Sequence, residues 1–350
     1  MMSDKSLEEL LRLGIPPTLT EVSDCPLSDD DFFSFRPQAE KCLQTIEKLC
    51  KTENKGSIKW PAIALLFAHE HSSAPYSCTR SMKIATDILS EVGPSVTKDV
   101  VSCIFDFIKP RLTRDLWKFH VGERYILISV CRRFPCPEEH LPPALNICDS
   151  HLTQNQIIGA QCLVYLSEEL SHDDDRGGRA GVILDALLKL TYAKERPVLS
   201  LAYDGLEKIL LLAGCCHERR SAAYLHLLKQ SAMSIGIEEK RFHAAIVERF
   251  LRGLRVAASE FAQLTLELAE CWADSPAMRV EAMSLLQTAL LSGAVSLSWE
   301  RVARILLNIA VRSDKSAAEV EAILSCRRAL AVIRTTPETS EEAAVFDLLR

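Results

Sequence analysis

The sequence is poor in the residues that build sheets. Aromatics make up 6% of its 350 residues and glycines number only 13, whereas strands favour aromatic and β-branched side chains. Positive charge is not in excess either. Against 41 lysines and arginines stand 47 aspartates and glutamates, a net charge of −6. A protein that lives on a phosphate backbone usually shows the opposite balance. No apolar run reaches the ~18 residues of a bilayer-crossing helix. The opening "MMSDKSLEELLRLG" lacks the charged-then-apolar layout of a secretory signal. These features point to a cytosolic or nuclear protein with neither a membrane nor a nucleic acid as partner. In that setting the 13 scattered cysteines, an odd number mostly at apolar helical positions, read as reduced core thiols.

Signatures of chemistry are also missing. There is no phosphate loop, dinucleotide glycine fingerprint or nucleophile elbow, and Gly177–Gly178 after three aspartates reads as a loop. His69-Glu70-His71 resembles part of a zinc site, but a zinc-protease helix needs histidines four apart to share a face. Cys215-Cys216-His217 has no second Cys/His pair at metal spacing, and Cys131 and Cys136 are wrongly spaced for a ribbon or finger. The paired carboxylates Glu168–Glu169 and Glu238–Glu239 fall near helix ends, where they suit the helix dipole or water. No catalytic site, metal or cofactor is expected.

What is present is helical. Leucine and alanine abound within a 48% hydrophobic composition, and both are good helix formers. Residues 3–13 form a short amphipathic helix capped by Ser3 or Asp4 and stopped by Gly14. A Pro/Asp/Ser-rich connector follows. From Pro37 onward the helical pattern is nearly continuous, with breaks at "CPEEHLPP", "SHDDDRGG", "AKERP", "ADSP" and "RTTPETS". Ala257, Phe261, Leu264, Leu268 and Trp272 form one stripe, and Trp299, Val302, Leu306 and Ile309 another. Helix pairs recur at roughly 40 residues without a clean consensus. The expected fold is all-α: an irregular HEAT/armadillo-like α-solenoid of antiparallel helix pairs, with two irregular bundles as the fallback. The expected organisation is a short helix plus acidic connector over 1–36, then a solenoid over 37–350 with a softer break near 171–178.

Three surface features stand out. Arg241, Arg249, Arg252 and Arg255 share a helix with Glu238, Glu239 and Glu248, and could meet an acidic partner or form a balanced, solvated face. Ser28, in "SDDDFF", is a candidate phosphosite for a kinase that reads acidic residues; the alternative is an ordinary acidic linker. In "KPRLTRDLWK", Lys109 to Lys118, the charge and Trp117 could suit anion or base stacking; the alternative is a structural corner in which Pro110 starts a helix and Leu112 and Trp117 turn inward, leaving the basic residues exposed.

Two stretches carry a resemblance. "IKPRLTRDLWK" and "FPCPEEHLPPALNICDSHLTQNQIIGAQCL" resemble the central block of the Tel-Two-interacting protein Two family. The matching elements are Lys109-Pro110, Leu112, Trp117-Lys118, His140-Leu141, Asp149, Asn155, Gly159 and Cys162-Leu163. None is a catalytic motif. Read without the family, Thr153 and Gln156 make a capping box. Ile158, Cys162 and Leu166 make the buried stripe, Gly159 permits a tight crossing, and Asp149 and Asn155 tie down loop backbone. The resemblance implies a non-catalytic α-solenoid subunit of the Triple-T co-chaperone complex. Its implied partners are homologues of Tel-Two and Tel-Two-interacting protein One, and indirectly the heat-shock protein 90 system and the phosphatidylinositol 3-kinase-related kinases. The rival reading is another HEAT-type adaptor, in transport or trafficking.

Overall fold

Runs with one apolar face become helices, and helices with nothing but one apolar face must stack. The computed structural model describes residues 4–18, 27–52, 59–170, 178–211, 217–254, 259–292, 299–311 and 315–333. Among these residues there are sixteen α-helices and no strand. The chain divides into two compact units, 1–209 and 210–350.

The first unit opens with α1 (Asp4–Gly14), α2 (Arg36–Thr52), α3 (Trp60–His69), α4 (Thr79–Val92) and α5 (Lys98–Ile108). It continues with α6 (Val121–Arg133), α7 (Pro137–Cys148), α8 (Thr153–Glu168), α9 (Arg179–Leu190) and α10 (Arg196–Leu211), whose last residues fall past the division. The second unit holds α11 (His217–Met233), α12 (Ile237–Leu254), α13 (Ala262–Ala273), α14 (Arg279–Leu291), α15 (Trp299–Ala310) and α16 (Ala317–Ile333).

Within each unit most helices pack on their successor, on the next but one, or on both. Thus α1 meets α2 and α3, α6 meets α7 and α8, α11 meets α12 and α13, and α14 meets α15 and α16. This is the packing of an α-solenoid built from helix pairs. Side chains tie successive repeats at a regular interval. Lys208 reaches Glu168, Arg241 reaches Glu281, and Arg279 reaches Glu319, each pair 40 residues apart. The period of roughly 40 expected from the sequence is therefore the repeat that stacks.

The N-terminal helix belongs to the stack, because α1 packs on both α2 and α3. Part of the connector does too: Phe32 is buried and sits edge-on to Tyr76 at 5.8 Å. Most of 171–178 lies outside the described residues, but α8 and α9 on either side of it pack together.

Several local expectations need correction. The break at "CPEEHLPP" falls only at its start, where α6 has ended at Arg133 and Cys136 precedes α7. Pro137 opens α7, and Pro142 and Pro143 lie inside it. Glu138 and Glu139, whose carbonyls lose their donors to these prolines, are exposed to water. The buried His140 caps the helix from within, Nδ1 accepting the Cys136 N–H at 3.1 Å. Pro110 sits in a 3-10 turn, Lys109–Arg111, that tightens the end of α5; it does not start an α-helix. In α13 the inward face runs through Phe261, Thr265, Leu268 and Trp272, while Leu264 is 38% exposed. Thr265 takes that place with its hydroxyl 3.4 Å from that of Tyr224. Ala257 lies outside the described residues. The stripe of α15 holds at Val302, Leu306 and Ile309, all buried.

Candidate functional site

Several buried polar groups of the first unit gather in a seam along α6, which packs on both α3 and α8. Its centre is Glu70, directly after α3, with a side chain only 6% exposed. Arg133 grips it with two hydrogen bonds, Nη1 to Oε1 at 2.7 Å and Nη2 to Oε2 at 2.9 Å. Arg132 adds a third from Nη2 at 2.5 Å, and the Ser129 hydroxyl donates to Oε1. Burial pushes this carboxyl upward, but the arginines and Ser129 pull harder, and the net shift is below the ordinary carboxylate value. The Arg133 guanidinium also lies 4.3 Å from the centre of the Phe67 ring.

The flanking histidines are buried neutral. His69 Nε2 stands 2.8 Å from the Gly14 carbonyl and Nδ1 stands 3.0 Å from the Ser77 hydroxyl. A carbonyl only accepts, so Nε2 carries the proton and Nδ1 accepts from Ser77. His71 Nε2 lies 2.7 Å from Ser129 Oγ. Burial drives His69, His71 and His140 each down to about 4.

The acid side of this has a sign and a window. Unfolded, these imidazoles take up protons near pH 6.5; folded, they resist until about pH 4. Their stabilising effect is therefore complete above about pH 6.5 and drains away between there and about pH 4. Each contributes up to ~1.4 kcal/mol per pH unit in that window. Urea midpoints measured from pH 7 to 4 should fall steadily, and His69→Gln should flatten part of the slope.

Around the seam lies the block that carries the family resemblance. Leu112 and Trp117 are buried, as expected. The Arg124 guanidinium is 5.6 Å from the Trp117 ring and donates from Nη1 to Asn155 Oδ1. Asn155 Nδ2 donates onward to Ser150 Oγ at 3.1 Å. Asn155 thus binds side chains, not the loop backbone. Asp149 ends α7 and is exposed, 3.8 Å from Lys189.

The capping box expected from Thr153 and Gln156 is absent. Leu152 occupies the cap position, and Thr153 is already the first helical residue. Ser150 does the tying instead: its Oγ accepts the Leu152 N–H at 3.2 Å and its carbonyl accepts Gln156 Nε2 at 2.9 Å.

Gly159, Ile158, Cys162 and Leu166 are all buried. A Cβ at Gly159 would stand 2.5 Å from the Cys148 backbone. Burial, with Cys131 alongside, holds the Cys162 thiol well above its ordinary value. Within the matched block Lys109, Pro110, Lys118 and Asp149 face water.

The arginine cluster reads as a balanced face. Arg241 pairs with Glu281 at 2.8 Å and Glu238 at 3.2 Å, and Arg252 pairs with Glu248 at 3.2 Å. Arg255, Cys215 and Cys216 lie outside the described residues. Ser28 is exposed; its N–H donates to Asp31 Oδ2 at 2.7 Å and its hydroxyl lies 3.2 Å from the same oxygen. Among the described residues no group of three His, Cys, Asp or Glu side chains could hold a metal, and no helix is long and apolar enough to cross a membrane.

Sequence reasoning missed the centre of the seam. In the sequence Glu70 reads only as the middle of a zinc-like triplet, and its arginine partners lie 62 and 63 residues away. One signal was available: adjacent arginines, Arg132-Arg133, end a helix that is otherwise almost wholly buried.

Fold and seam together define a helical-repeat protein with a buried carboxylate held by two arginines at its seam. No family model matches the sequence. The chain is a distant relative of TELO2-interacting protein 2. It is 25% identical to the mouse protein over 167 residues, which is 42% of this chain and 33% of that protein. To the rat protein it is 23% identical over 174 residues, 44% of this chain and 33% of that one. The match thus spans about one third of the length of these curated relatives. A crystal structure of an engineered protein, 14% identical, aligns over 99% of this chain and 97% of its own with a TM-score of 0.42.

Proposed function

We propose that this chain is a non-catalytic scaffold subunit of the Triple-T co-chaperone complex. It binds homologues of TELO2 and Tel-Two-interacting protein One, and acts in the cytosol and nucleus. Through them it supports heat-shock protein 90-dependent maturation of phosphatidylinositol 3-kinase-related kinases. The observation that carries this reading is the distant relationship to TELO2-interacting protein 2, in a chain whose helix pairs stack as a repeat. Stacked repeats offer long surfaces, and a permanent interface on one would bury upwards of ~2,000 Å². The matched block supplies rigidity from inside, through Trp117, Asn155, Gly159 and Cys162. Lys109, Pro110, Lys118 and Asp149 are its water-facing residues, placed to meet a partner.

Affinity purification of the tagged chain from its own cells should recover TELO2 and the kinases. Recovery of transport cargo or vesicle coats in their place would overturn the reading in favour of another adaptor.

Ser28 is assigned as a phosphate acceptor in the same proposal. A phosphoryl group there would face the Asp31 carboxylate that now holds the serine, opening the turn that seats Phe32. Mass spectrometry of the native protein should find Ser28 modified; consistent detection of the unmodified peptide alone would remove the assignment.

A further inference from the structure

A half-open hollow of about 410 Å³ lies on the first unit, lined by Glu8 and Arg12 of α1, Trp60 of α3, Cys103, Asp106 and Phe107 of α5, and Arg111 of the 3-10 turn that follows. Its floor is aromatic. The Trp60 and Phe107 rings sit 5.4 Å apart, tilted by 47°, and both are half-buried.

The structure already shows what such a floor accepts. Arg111 lays its guanidinium 4.1 Å from the centre of the Phe107 ring, and its charge is matched by Glu123 at 3.4 Å. The remaining charges do not cancel. Glu8 and Arg12 stand one turn apart on the same helix and put one charge of each sign at the mouth. Asp106 is exposed and, among the described residues, makes no ion pair. With Glu123 counted against Arg111, the lining carries one carboxylate more than it has guanidiniums, and the exposed Asp106 shares the hollow with the half-buried Trp60 ring.

We propose that this hollow binds an arginine side chain presented by a partner polypeptide, stacked on Trp60 and hydrogen-bonded to Asp106. A guanidinium fits both requirements at once, because its plane stacks on an aromatic face while its edge offers a fork of N–H donors to a carboxylate. Lysine satisfies only the charge. An anion would find Arg12 but would face Asp106 and Glu8. The proposal holds or fails independently of the complex assigned above.

The test is fluorine NMR on the full chain labelled with fluorotryptophan, with the Trp60 signal assigned by Trp60→Phe. The probe is the peptide acetyl-Gly-Arg-Gly-amide, compared with its neutral citrulline counterpart and with inorganic phosphate. The Trp60 signal should shift saturably with the arginine peptide, with a dissociation constant on the order of 1 mM, as suits one stacking contact and one ion pair in a half-open site. The citrulline peptide, which loses both the ion pair and the cation's attraction to the ring, should bind about tenfold more weakly, and Asp106→Asn should weaken the arginine peptide about two- to fivefold. Unchanged signals from the other tryptophans would show that this variant is folded. A Trp60 signal that ignores the arginine peptide, answers citrulline equally, moves only with phosphate, or responds undiminished in Asp106→Asn overturns the proposal.

Discussion

Replacing Gly159 with alanine should lower the unfolding free energy of the first unit by about 2–3 kcal/mol. Two effects oppose each other here. Alanine is the better helix former, a gain of about 1 kcal/mol over glycine in a helix interior. Against this, the new Cβ would stand 2.5 Å from both the N and Cα of Cys148 and 2.7 Å from its Cβ. These are mostly backbone atoms of α7, so no flexible side-chain end can swing aside. The two helices would have to part, and overpacking of this kind costs about 1–3 kcal/mol for ordinary insertions and more against backbone. Steric cost wins. For a unit of this size the net loss corresponds to a fall of roughly 4–12 °C in Tm. Leucine, with more to accommodate, should do greater damage. Gly93 is the control, because a Cβ there meets nothing within 4 Å. Gly93→Ala should leave the melting curve within about 0.5 kcal/mol of the parent.

Glu70→Ala should cost a comparable amount, about 3 kcal/mol, by a different route. Removing one member of a buried pair leaves the other charge stranded, typically at 3–5 kcal/mol. Arg132 is 40% exposed and recovers water when released, which places the loss at the lower end of that range. Arg133, at 21% exposure, and the buried Ser129 hydroxyl do not recover it. Glu70→Gln keeps the shape and an acceptor for Ser129 but no charge, so it should lose roughly half as much.

The pH dependence separates this effect from that of the histidines. Glu70 titrates below its ordinary value when folded, so its contribution is complete above the unfolded value of about 4.3 and disappears as the pH falls through the lower folded one. Parent and Glu70→Gln should therefore converge only below about pH 4. The histidine effect is by then already spent. Urea midpoints of both proteins across pH 3–7 would measure the difference.

Local pattern made much of this legible. The helix pairs and their spacing follow from apolar residues at steps of three and four, a signal carried within each helix. The place of Gly159 beside Ile158, Cys162 and Leu166 could be read in the same way, because a glycine next to a buried stripe has few other uses. What escaped depends on residues far apart or on a single backbone choice. Glu70 meets arginines more than sixty residues away, and no periodicity marks a carboxylate as buried. Leu264 and Thr265 exchange roles because one step of register decides which faces inward, and the threonine is kept in by the Tyr224 hydroxyl. Thr153 looked like a cap, yet the chain turns helical one residue earlier and leaves the tying to Ser150. Pro142 and Pro143 would ordinarily end a helix; α7 runs through them because the carbonyls left without donors belong to Glu138 and Glu139, which face water.

The most direct measurement is sedimentation of the purified chain mixed with purified TELO2 from the same organism. A single faster boundary containing both proteins in fixed proportion is the expected result. Two independent boundaries, with each protein folded by circular dichroism, would contradict the central claim that this stack of helices works by holding a partner.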